Sequence, residues 1–262
     1  MKFIATLDYL YVFSGFCVGV LVGMTGVGGG SLMTPLLILM FGIHPATAVG
    51  TDLLFAASTK TIGTVIHGAA RTIAWRLVGL LAIGSVPATV ATLIALAMVD
   101  TGGTAAHHLI TLTLGGVLLL TSAFLLSASR LRIRFGDRLG RLDKVSIRSL
   151  TVLLGGAMGV LVSLTSVGAG AIGVTVILLL YPKMPTARVI GSDIAHAVPL
   201  TLVAGIGHWY LGSVDWHLLG TLLIGSGPGI VAGSYLAGRV PDGALRVTLA
   251  LVLFAAAIRL IV

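Results

Sequence analysis

Two aspartates, Asp52 and Asp193, each follow a Gly-Thr or Gly-Ser pair inside an apolar stretch. An ionised carboxylate in such a stretch is costly and points to proton or cation chemistry. The alternative is a first-turn acid that caps a helix and is satisfied by backbone amides and the helix dipole. His67 and His208 stand fifteen residues beyond the two acids, and Trp75 and Trp216 eight residues beyond the histidines. Imidazole titrates near neutrality, so the histidines are candidates for coupling, gating or an interface, and the tryptophans for membrane-interface anchors. A haem held by both histidines would need them on one side of the membrane. Lys60 has no counterpart, because Thr201 takes its place, and it either contacts an anion or snorkels to the nearer membrane face.

A second kind of chemistry is written in glycine. Thr25-Gly26-Val27-Gly28-Gly29-Gly30, followed by Ser31, returns 140 residues later as Thr165-Ser166-Val167-Gly168-Ala169-Gly170. Each copy precedes a short apolar segment, 31–42 or 169–181. A helix that opens on such a loop exposes free N–H groups and the positive end of its dipole, which suits a small anion. The expected substrate site is therefore Thr25, Gly26, Gly28, Gly29, Gly30, Ser31, Thr165, Ser166, Gly168, Ala169 and Gly170, with the Thr34 hydroxyl nearby. Asp52, Asp193, His67, His208 and Lys60 are the coupling or gating set. Glycine clusters also serve plain helix packing in membranes. Their recurrence before two segments too short to span favours a site.

Elements that must position these residues come in two sets. Asp52, His67, Trp75, Gly84-Ser85 and Pro87 match Asp193, His208, Trp216, Gly225-Ser226 and Pro228 at a constant offset, so one half is a duplicate of the other. Apolar runs at about 47–67, 75–99, 105–128, 188–211, 215–239 and 243–262 each approach the roughly 20 residues that a spanning helix needs. The segments 31–42 and 169–181, at about 18 to 20 Å, do not. Residues 1–129 form a first transmembrane repeat, 130–148 a basic loop and 149–262 a second repeat. Seven basic residues from Arg130 to Arg148 mark that loop as cytoplasmic. Arg71 and Arg76, and Arg239 and Arg246, then fall inside, and the loops at Asp100 and at Gly212–Asp215 outside. An odd number of crossings per half inverts the second half. The expected fold is an all-α polytopic membrane protein of two inverted repeats, each a glycine-broken or re-entrant helix pair plus three transmembrane helices. With that orientation His67 and His208 lie near opposite faces, too far apart for one haem.

Composition narrows the chemistry further. The chain is 57% hydrophobic and 9% charged, with mean hydropathy +1.11, far from a soluble domain with about 25% charged residues. Glu, Gln and Asn are absent, so backbone amides, hydroxyls and a few Asp and His must do the work. The single Cys17 excludes a disulfide framework, and the basic loop lacks the aromatic interleaving of a nucleic-acid surface. His107-His108 lacks zinc-ligand spacing, and neither HExxH nor GxSxG occurs. No cofactor is expected, and the N-terminal apolar stretch reads as a membrane segment of the first repeat rather than a cleaved signal.

Gly23 to Ser31, PATAVGTD at Pro45 to Asp52, His67, Trp75-Arg76 and Gly84-Ser85, repeated from Leu161 to Gly233, resemble the TauE/SafE family of membrane permeases, the sulfite exporter family. The resemblance covers nearly the whole chain outside the basic loop. It implies transport of small sulfur-containing or carboxylate anions: sulfite, thiosulfate, sulfoacetate or organosulfonates. Val214-Asp215-Trp216 keeps a triplet common in that family, where the first half has Ile73-Ala74-Trp75, so Asp215 is a candidate one-sided gate. The resulting expectation is a secondary anion transporter, not an enzyme, in a bacterial plasma (inner) membrane, with protons and membrane lipid as its other partners. It works by rocking one half against the other. An anion channel is the nearest rival, an intramembrane redox enzyme a more distant one.

Overall fold

The computed structural model describes residues 2–25, 30–98, 104–139, 143–168, 170–236 and 242–261. Among them every regular element is helical: α1 (Lys2–Thr25), α2 (Gly30–Phe41), α3 (Pro45–Ala69), α4 (Trp75–Ala97), α5 (Thr104–Leu139), α6 (Lys144–Thr165), α7 (Ala171–Leu180), α8 (Thr186–Tyr210), α9 (Trp216–Leu236) and α10 (Asp242–Ile261). A chain this apolar must satisfy its backbone internally, and helices do so segment by segment. Among the described residues, α4, residues Ile110–Ser127 of α5, α6 and α8 are long and apolar enough to cross a membrane. The protein is an integral membrane protein. Helix α3 matches α8 in length, at 25 residues, and carries both Asp52 and Lys60.

The short segments fold as expected, over 12 residues in α2 and 10 in α7. Their direction is fixed by contacts at their far ends. The Tyr181 hydroxyl, just past α7, lies 2.9 Å from Thr151 Oγ1 near the start of α6. Tyr11 and Phe41, at the corresponding places in α1 and α2, meet edge to face with ring centroids 4.8 Å apart. Each short helix therefore runs back along the helix before it, and α1–α2 and α6–α7 are hairpins. The turn of the second hairpin is left-handed at Ser166 (φ 58°), Gly168 (φ 115°) and Gly170 (φ 117°). At the last two only glycine is at ease. The Thr165 hydroxyl serves this turn, donating to Leu161 O (2.7 Å) and accepting from Val167 N (3.2 Å).

The helices pair across the two halves of the chain. α1 packs most extensively on α9, and α6, its match in the second half, on α4; α3 pairs with α8 and α5 with α10. The pairings are reciprocal to the residue. A Cβ at Gly15 would strike Leu222 O, and one at Gly155 would strike Leu81 O; Gly225 abuts Val12 O as Gly84 abuts Val152 O. Small residues here let backbones touch, as membrane helix packing requires where no hydrophobic force drives helices together. Two hydrogen bonds repeat in the same way. Ser192 Oγ accepts from Ala74 N at 2.8 Å, and Thr51 Oγ1 from Asp215 N at 3.0 Å.

The basic segment differs from a loop. Helix α5 continues through Arg130 to Leu139, 36 residues in all, and α6 begins again at Lys144. At 1.5 Å per residue α5 is about 54 Å long, well beyond the roughly 30 Å of a hydrocarbon core, so its basic end projects. Arginine and leucine are good helix formers and no proline interrupts them. Asp143 caps α6, accepting from Val145 N (3.1 Å) and Ser146 N (3.4 Å), and the Ser146 bonds hold its carboxyl below the usual carboxylate range.

Candidate functional site

The centre of the protein is where α3 crosses α8 and both short helices begin. Asp52 and Asp193 each lie two turns into their helices, fully buried. Neither caps its own helix: α3 starts after His44 and α8 after Pro185, and no acid stands in either first turn. Asp52 Oδ2 instead accepts the Thr34 hydroxyl of α2 at 2.5 Å, while Oδ1 has no partner. The Ser166 hydroxyl, at the tip of the opposite hairpin, comes close enough to Asp52 to interact but completes no hydrogen bond, and its Oγ is buried and unpartnered. Asp193 faces the first turn of α7. A Cβ at Gly173 would run into Asp193 Oδ1, and Met158 Cε would lie 2.8 Å away, so only glycine leaves room for that carboxylate.

Lys60 reaches the same place from α3. Only 5% of its surface is exposed, so its stem does not carry the ammonium out to the membrane face, and the snorkelling alternative fails. Its charge acts on Asp193 most, then on Asp52, and on His196 of α8. Neither carboxylate is close enough for a direct ion pair; the ion pair formed among the described residues, His217–Asp8, lies elsewhere. His196 is fully buried, Ser85 Oγ of α4 lies 2.9 Å from its Nε2, and its Nδ1 has no partner. Four unpartnered buried atoms thus cluster near the two hairpins: Asp52 Oδ1, Ser166 Oγ, Asp193 Oδ1 and His196 Nδ1. Buried polar atoms are nearly always paired, so such a cluster marks a place where something else binds.

Other expected site residues fall outside this cluster. His67 Nδ1 bonds the Thr72 hydroxyl at 2.8 Å, and His208 Nε2 donates to Ser163 O at 2.9 Å, a carbonyl in the last turn of α6. A Cβ on Gly191 would press on His67, and one on Gly50 on His208. Both histidines brace helix ends against the other half. Asp215 accepts Leu218 N at 2.9 Å and so caps α9. Trp75 and Trp216 open α4 and α9 with their rings largely exposed, as interface anchors would be. Of the first glycine motif, Gly30 opens α2 and Thr25 ends α1. Gly26, Gly28 and Gly29, like Ala169 of the second motif, lie outside the described residues, as do the side chains of Thr25 and Ser31.

Repeat matching overlooks His196, because Phe55 stands at its place in the first half. One signal was available: His196 follows Asp193 by three residues, which places both on one helix face. Gly173 and the Ser85 bond carry no signal of that kind.

Comparison with known proteins agrees with the membrane architecture. The family described as Sulfite exporter TauE/SafE matches residues 11–260. The "Probable membrane transporter protein YjnA" of Bacillus subtilis is 37% identical over 256 residues, covering 95% of this chain and 98% of that protein. A second Bacillus subtilis protein, "Probable membrane transporter protein YdhB", is 26% identical over 88% of this chain and 91% of its own. A "Probable membrane transporter protein" of Xylella fastidiosa is 25% identical over 86% and 83%. No solved structure matches the chain.

Proposed function

The chain belongs to the sulfite exporter TauE/SafE family, and within that membership we propose that it is a secondary transporter of small sulfur-containing oxyanions or organosulfonates, the class of sulfite, thiosulfate and sulfoacetate. The observation that carries this reading is the buried, unpartnered polar cluster at the α3–α8 crossing, beside α2 and α7, with Lys60 as its cation. Hydroxyls, an imidazole and one ammonium bind an oxyanion without locking it in place.

Proton coupling follows from charge. An incoming anion meets two carboxylates and one ammonium, and a net negative cluster in low dielectric repels it unless a proton enters too. The reciprocal contacts between halves support two repeats related by a twofold axis, and the basic residues support inversion with the long α5 end in the cytoplasm of a bacterial plasma membrane.

Alternating access then moves bodies other than the halves of the sequence. Rocking residues 1–129 against 149–262 would shear the α1–α9 and α4–α6 contacts, where glycines hold backbones against each other. We assign α1 with α9, and α4 with α6, as the pairs that move as units about the α3–α8 crossing.

Two experiments test the reading. Purified protein in proteoliposomes should show saturable uptake of labelled sulfite and counterflow; linear flux without counterflow makes it a channel, and no flux of any sulfur oxyanion overturns the assignment. For orientation, a cysteine at Tyr210, which is well exposed, should react with an impermeant thiol reagent in intact cells on a Cys17→Ser background, and one at Val145 should not.

A further inference from the structure

The polar groups that break the repeat gather at one end of the α3–α8 crossing. Where the second half has His196 the first has Phe55, and where the first has Lys60 the second has Thr201. Ser85 and Ser226 match in identity yet differ in what they bond. At the Phe55 end the hydroxyls that match Lys60 and Ser85 turn back on their own helices: Thr201 donates to Ala197 O at 2.7 Å and Ser226 to Leu223 O at 3.2 Å. At the other end Ser85 bonds His196 across α4 and α8 instead. There His196 Nδ1 and, one turn earlier on α8, Asp193 Oδ1 are left without partners. Lys60 acts on both groups. Buried donors and acceptors left open in this way destabilise the fold unless a ligand completes them.

Resting on the transport reading above, we propose that the anion is held off the twofold axis, by His196 and Lys60 as donors and Asp193 Oδ1 as acceptor, with Ser85 positioning the imidazole. The Ser85 hydroxyl makes no bond within α4, so its proton is free to go to Nε2, which leaves the ring proton on the buried, unpartnered Nδ1. Two donors beside one acceptor fit an oxyanion that itself carries a proton, such as hydrogen sulfite. A halide has nothing to give Asp193. The groups that titrate around the imidazole are Lys60 of α3 and Asp193 of its own helix, with Asp52 beyond; α4 contributes Ser85.

The test is ligand-dependent thermal stabilisation of the purified protein by sulfite, methanesulfonate and chloride, with the ligand-free melting temperature read separately so that a structural loss is told apart from a binding loss. Wild type should rank sulfite first. His196→Phe, which copies the other half, should weaken sulfite about tenfold or more, and His196→Gln, which keeps an N–H donor, by only about threefold. Ser85→Ala should fall between them and narrow the preference for sulfite over chloride. If folded His196→Phe binds sulfite as wild type does, the proposal is overturned while the transport reading stands. Should that variant fail to fold, Lys60→Thr and Ser85→Ala decide, and undiminished affinity in both overturns it. If none of the three anions stabilises wild type, both readings fall together.

Discussion

Asp52 and Asp193 occupy the same place in the repeat, both buried with an unpartnered Oδ1, and differ in their neighbours. Asp52 is tied to α2 by the Thr34 hydroxyl and has Ser166 of the opposite hairpin beside it. Asp193 has no hydroxyl on it among the described residues; it faces bare glycine at Gly173, and Lys60 is the group that acts on it. Duplication preserved where a carboxylate enters the membrane core, and later substitution decided what surrounds it. One acid is a tether between elements, and the other is a buried carboxylate whose charged neighbour is Lys60.

The largest effect that separates them should come from Lys60→Met. Removing the cation leaves two buried carboxylates uncompensated, and breaking a buried charge arrangement costs about 3 to 5 kcal/mol. Melting temperature should fall steeply and uptake should vanish. Adding Asp193→Asn should then recover more stability than adding Asp52→Asn, because Lys60 acts more strongly on Asp193. Equal recovery would erase the distinction.

The response to a pH gradient sharpens the comparison next. Uptake should rise with an inward proton gradient, Asp193→Asn should remove the larger share of that rise, and the double Asn variant all of it. A rise that persists in the double variant moves the coupling to the histidines. If wild type ignores an imposed gradient, the carboxylates have no part in coupling.

Packing tests follow. Gly173→Ala presses a methyl into Asp193 and Met158, an overpacking worth about 1 to 3 kcal/mol, measurable as lost thermal stability, whereas Gly79→Ala, with open space around it, should be neutral. The smallest effect belongs to Thr34→Val. It strips Asp52 of the Thr34 hydroxyl bond at a cost of about 1 kcal/mol, and uptake should survive. Loss of uptake on that change alone would make Asp52, rather than Asp193, the acid that matters.

Much of this was legible in the chain itself. The constant offset exposed the duplication, and segment length set α2 and α7 to within a residue or two, since twelve apolar residues between glycine and proline have few ways to fold. Direction was not legible: whether α7 turns back depends on Tyr181 meeting Thr151, a contact between residues thirty apart that periodicity does not encode. Lys60 could snorkel or stay, and packing of α3 on α8 decided it. Partner choice was hidden as well, because nothing in the order of helices says that α1 belongs with α9. His196 escaped because a search for matched pairs passes over the residues that make two halves unequal.

The crossed pairing also has a consequence in time. Helix α1 is made before α9, yet the backbone against which Gly15 and Gly19 close belongs to α9, some two hundred residues later. At synthesis rates of about 5 to 20 residues per second, α1 waits on the order of ten to forty seconds in the bilayer before its partner exists. During that interval its glycine face is open to lipid or to any other nascent helix. Closure of α1 is therefore a late event that waits for the ninth helix.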